Sequence, residues 1–77
     1  MHEPDDDAWL LEHSRVLGER IRTERRRQHI SQETLYLGAG ISRDVLQRIE
    51  SGRHNTTLFT LLRIARVLDM PLADLVR

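Results

Sequence analysis

The absence of cysteine from a chain of only 77 residues sets the first constraint on what it can fold into. Neither disulfides nor Cys-based zinc sites can make up for a small core, so folding must rest on aliphatic packing, with self-association as the available supplement. The length allows one domain, since domains ordinarily hold ~50–250 residues. No run of large apolar residues exceeds three, as in Trp9-Leu10-Leu11. That excludes a transmembrane span and a signal-peptide core, and the expected location is cytoplasmic.

The formal net charge of zero hides a segregated distribution. Residues 1–12 hold Glu3, Asp5, Asp6, Asp7 and Glu12 with no Arg, while residues 13–77 carry all 12 Arg against 7 acids, a net of +5. Lysine is absent. Arginine offers planar, multi-donor recognition of phosphate and guanine that lysine cannot match. The segregation therefore points toward a nucleic-acid partner, although the bulk isoelectric point does not.

Apolar residues recur at spacings of three, four and seven, so the chain reads as all-α. The acids at 5–7 suit a helix start, from which a helix can run to about Gln28 with Leu10, Leu17 and Ile21 on one face. Gly18 is a candidate break between an N-terminal arm and the first helix proper, and the chain divides into an acidic, partly helical arm (1–15) and a main domain (16–77). Ser31 caps a second helix over about 32–38, closed by Gly38-Ala39-Gly40. Ser42 caps a third over about 43–50, and Thr57 a fourth through Leu68 with a stripe of Leu58, Leu61, Leu62, Ala65 and Leu68. Pro71 opens a short fifth helix ending near Val76.

The stretch from Ser31 to Gly52 is the most informative. Its two short helices are joined by too few residues to lie antiparallel, so they should cross steeply. Leu35, Ala39, Ile41, Leu46 and Ile49 then form a shared core, leaving Arg43, Asp44, Gln47 and Arg48 on the outer face of the second. A short protruding helix with long polar side chains is sized for the major groove of DNA.

The phrases LGERIR, SQETL, AGIS and VLQRIESGR, followed by TLFTLLRIARVLDMPLADL, resemble the lambda-repressor-like (Xre/Cro) helix-turn-helix family. The resemblance implies a compact five-helix DNA-binding domain whose recognition helix begins after Ser42, with Arg43, Asp44, Gln47 and Arg48 approaching base edges. Arg can bond guanine O6 and N7 in bidentate fashion and Gln can do the same for adenine. Asp44 could accept from a cytosine amino group or orient a neighbouring Arg. Gln32, Ser42, Arg53, His54, Asn55 and Thr57 match phosphate-contacting positions, which fix register without reading sequence. Arg25 and Glu50 match a structural salt bridge between the first and third helices.

The sequence departs from the family pattern at Tyr36, where a small residue is usual, at Gly38, where a long polar one is usual, at His29, which replaces a glycine, and at Glu24, where an apolar residue is common. His tolerates positive φ better than most residues.

Family members commonly bind palindromic operators as dimers, with recognition helices about one DNA turn apart. The expected interface comprises Met70, Leu72, Leu75 and Val76, with Trp9 of the arm contributing. The resulting expectation is a sequence-specific regulator of transcription, more often a repressor, with double-stranded DNA as partner, no membrane and no cofactor. The competing reading is a protein-interaction module, such as an antitoxin, contacting another protein through Tyr36 and Leu37. An enzyme is disfavoured: His2, His13, His29 and His54 lack metal-ligand spacing, no serine has a His arranged as its base, and no phosphate-cradling glycine loop follows a strand.

Overall fold

A computed structural model describes residues 4–53 and 55–77. Five helices account for the regular structure: α1 (Pro4–Arg27), α2 (Gln32–Ala39), α3 (Arg43–Glu50), α4 (Leu58–Val67) and α5 (Leu72–Val76). The starts of α2, α3 and α4 are local chemistry. Ser31, Ser42 and Thr57 sit in extended backbone and their hydroxyl oxygens accept from the N–H groups of Thr34, Val45 and Thr60. Each satisfies one donor that the first helical turn would leave unpaired, and each such cap contributes about 1 kcal/mol.

The helix ends are equally local. His29 and Asp69 adopt positive φ, at 58° and 54°, and close α1 and α4 as a glycine would. The N–H of Ile30 then reaches back to the Arg25 carbonyl and that of Met70 to the Ala65 carbonyl. His and Asp are among the few non-glycine residues that accept this backbone region. Pro71 is the residue preceding α5, one position earlier than a first helical residue.

Ile21, Leu35, Leu46, Ile64, Leu68 and Leu75 are fully buried, so every helix contributes to one core. Each such burial stabilises by roughly 1.5–3 kcal/mol. The core face of α4 is rotated from the expected stripe: Ile64, Ala65 and Leu68 are buried, while Leu58 and Leu62 face outward.

Helix α1 is unbroken across Gly18. At 1.5 Å per residue it is roughly 36 Å long, close to the 39 Å longest dimension of the molecule. Gly18 is a contact point and not a break. A Cβ there would lie 2.3 Å from the Ile49 carbonyl oxygen and 2.8 Å from that of Glu50. The missing side chain is what lets α1 and the end of α3 approach so closely. Along α1, Arg15 bridges Glu12 and Glu19 at 2.7 and 2.9 Å, and Glu24 pairs with Arg27.

Candidate nucleic-acid interface

Helices α2 and α3 meet through a left-handed turn of the kind glycine favours. Gly40 has φ 69°, its N–H donating to the Leu37 carbonyl while the N–H of Ile41 donates to that of Tyr36. Ile41 then reverses the chain onto the Ser42 cap. Leu35 and Ala39 from α2 and Leu46 and Ile49 from α3 are buried together, as the spacing predicts. Tyr36 accommodates its bulk by packing half-buried against this core, and Leu37 points outward. Gly38 lies against Val67 of α4, where a Cβ would sit 3.0 Å from one of its methyl groups, so its small size serves the α2–α4 contact.

With its apolar side inward, α3 exposes Arg43, Asp44, Gln47 and Arg48. The Nε of Arg48 lies 3.2 Å from Oδ2 of Asp44, one turn earlier. Asp44, Gln47, Arg48, Ser51 and Arg53 line one shallow polar recess, which brings the outer face of α3 together with the loop that follows it.

The orientation of α3 is fixed from behind. Arg25 of α1 donates from Nε to Glu50 Oε2 at 2.8 Å and from Nη2 to Oε1 at 3.1 Å, and its Nη1 reaches the Ile30 carbonyl at 3.0 Å. These two side chains are only 9% and 4% exposed. Gln32 at the start of α2 donates its amide to Glu50 Oε1 at 3.3 Å. Three helices thus meet at one carboxylate.

The remaining expected contact residues fall in different settings. Ser42 and Thr57 are exposed, with their hydroxyl oxygens accepting from α3 and α4 backbone. Arg53 and Asn55 are exposed, but Asn55 borders a groove shared with Asp7, Leu10, Leu11 and Ser14 of the arm and not the recess on α3. His54 lies outside the described residues. Glu24 holds Gln28, whose amide donates to the Leu68 carbonyl at 2.7 Å, so this polar residue joins the end of α1 to the end of α4. Hydrogen bonds from Arg27 and then Gln28 hold its carboxyl down to about 2.

The expected self-association surface needs revision. Leu75 is fully buried in the core of its own chain and cannot reach a partner, and Met70 and Leu72 are half-buried against that core. Of the C-terminal set only Val76 is well exposed. Trp9 is exposed and packs its ring tilted against His13, with centroids 4.3 Å apart. The largest unanticipated feature is on α4, where Leu58, Phe59 and Leu62 are 58%, 71% and 45% exposed. The apolar residues of α4 span more than the face one core can cover, and that breadth was the available signal.

Among the described residues no helix is long and apolar enough to cross a membrane, and no group of three or more His, Cys, Asp or Glu could hold a metal ion.

Comparison with known proteins agrees with this geometry. The family model described as helix-turn-helix matches residues 21–75. The control protein C.SmaI of Serratia marcescens is 32% identical over 66 residues, covering 86% of this chain and 79% of that protein. The restriction-modification controller protein C.AhdI of Aeromonas hydrophila superposes with a TM-score of 0.78 at 32% identity, covering 80% of this chain and 94% of its own. The competence regulator ComR of Streptococcus vestibularis, in its apo form, gives a TM-score of 0.78 at 40% identity over 83% of this chain, but only 22% of ComR. With its two capped helices, αL turn and outward polar face, the chain belongs to the helix-turn-helix family of DNA-binding transcription regulators.

Proposed function

We propose that this chain reads a palindromic operator as a homodimer, with α3 in the major groove and the residues around it gripping phosphate. The observation that carries the reading is the division of α3. Leu46 and Ile49 are buried while Arg43, Asp44, Gln47 and Arg48 are all exposed, on a helix held from behind by a buried ion pair. Likeness to a control protein and to a restriction-modification controller supports a small regulator of that kind.

Gln47 and Arg48 supply base contacts in this reading, and Arg43 stands beside them on the same exposed face of α3. Ser42, Arg53, Asn55 and Thr57 supply phosphate contacts, and the Gln32 amide, which gives one N–H to Glu50, has a second N–H to donate beside α3. The outward Leu58, Phe59 and Leu62 are the apolar surface that a second copy would cover. The arm before Val16 shares a groove with Arg53 and Asn55 and so borders these contacts.

The test is binding of the full chain to duplexes enriched from a random pool, repeated over a range of salt. Inverted half-sites are expected, and log K should fall with log salt by about 0.9 per phosphate contacted. Arg53→Ala should weaken all duplexes alike and flatten that slope by about one unit. Binding that ignores salt, or a pool without enriched sequence, would leave a protein partner as the better account.

A further inference from the structure

The two arginines on the outer face of α3 are not equivalent. Arg48 forms an ion pair with Asp44, its Nε lying 3.2 Å from Oδ2, whereas Arg43 has no ion pair among the described residues. We infer that Asp44 is a positioning residue that presents Arg48 to a guanine, while Arg43 serves a phosphate. This rests on the reading of α3 as the helix that enters the groove.

A guanidinium carries five N–H donors in a rigid planar fork. A carboxylate paired on the Nε side biases the plane of the fork, and fixes it once the contact closes into a hydrogen bond on docking, while the two terminal nitrogens remain free. Those two donors match the O6 and N7 acceptors that guanine alone pairs in the major groove. An arginine without such a partner keeps its rotamer freedom. It suits a phosphate, whose oxygens accept from many directions and carry no sequence information.

The same pairing resolves what Asp44 does there. A carboxylate near a phosphate-lined groove is repelled unless a cation accompanies it. In the free protein the pair is exposed, at 59% for Arg48 and 69% for Asp44, and contributes little to stability. Docking removes water from around it, the local dielectric falls, and the contact strengthens where it is needed. Asp44 as an independent cytosine reader would instead leave Arg48 unoriented.

The test uses the full chain and the duplex it enriches from a random pool, with each enriched guanine replaced in turn by 7-deazaguanine, which lacks N7. The unaltered protein is expected to lose about tenfold in affinity at one position. Arg48→Ala should show no further loss at that position. Asp44→Ala should cut the loss to about two- or threefold, while its affinity for unrelated duplex stays equal or rises, because a negative charge has left the groove. A merely structural defect would lower both affinities, and a thermal melt of each variant checks that both exposed sites tolerate the change. Arg43→Ala should weaken all duplexes alike and keep the full response to 7-deazaguanine. The inference is overturned if Asp44→Ala responds as fully as the unaltered protein, or if Arg43→Ala abolishes the response. A protein that enriches no sequence at all overturns the groove reading as well, and that result is distinct from enriched sites that ignore Asp44.

Discussion

Replacing Gly18 by alanine sets helix propensity against packing, and the structure decides which wins. In a helix interior, Ala is favoured over Gly by about 1 kcal/mol. The new Cβ, however, would lie 2.3 Å from the Ile49 carbonyl oxygen and 2.8 Å from that of Glu50. A carbon and a carbonyl oxygen rest no closer than about 3.3 Å, so the end of α3 must retreat by roughly 1 Å. The obstacles are backbone atoms and cannot rotate away. They also adjoin the Arg25–Glu50 ion pair, whose 2.8 Å contact would be strained by the same movement. Overpacking of this kind costs about 1–3 kcal/mol, and backbone contact puts it at the upper end. Against the propensity gain, the net expectation is a loss of about 2 kcal/mol, or roughly 8–16 °C in Tm for a domain this size. Urea and thermal melts followed by far-UV circular dichroism measure it, with an isolated peptide of residues 4–27 as the control that should become more helical. A midpoint equal to or above that of the unaltered protein would refute the close approach of α1 and α3.

Glu50→Ala should cost about 3–5 kcal/mol by leaving the Arg25 guanidinium buried without its partner, a large share of the ~4–12 kcal/mol expected of such a domain. Arg25→Met combined with Glu50→Leu should recover much of it, and a urea titration of both variants checks the contrast. Phe59→Asp should reduce the sedimentation mass of a dimer to that of the monomer and leave Tm unchanged only at concentrations where both proteins are monomeric, since Phe59 lies outside the core; an unchanged mass would remove α4 from the interface. For Glu24, the folded-state value of about 2 lies below the ordinary 4.5, so its contribution is fully present above 4.5 and is lost as pH falls toward 2. The stability difference between the unaltered protein and Glu24→Gln should therefore shrink through that acid range in denaturant titrations, and a constant difference would contradict the pairing.

What could be read from the residues was whatever short-range chemistry controls. A cap needs only a hydroxyl and the N–H three residues on, so Ser31, Ser42 and Thr57 were identified with the helices they start. An αL turn needs only Gly40, and the period of three and four on α3 separates Leu46 and Ile49 from Arg43 and Arg48. His29 was legible as a positive-φ residue. The helix end at Leu68 was legible too, but the positive φ of Asp69 beyond it was not, because no glycine of the family pattern marks that position. The Arg25–Glu50 pair came through family resemblance and not from spacing, since the two residues stand 25 positions apart.

Caps, turns and the amphipathic division of α3 are therefore properties of the amino-acid sequence by itself, because each involves atoms within one helical turn. The choice between neighbouring helices was made only by the tertiary structure. On α4 the apolar residues occupy too wide an arc to say which would be covered, and packing against α2 and α5 took Ile64, Ala65 and Leu68 and left Leu58, Phe59 and Leu62 outside. Leu75, expected on the surface, was drawn into the core, and Gly18, expected to break a helix, became the point where two helices touch. Periodicity says that a face will be buried; which partner buries it, and how closely, depends on shapes distant in sequence.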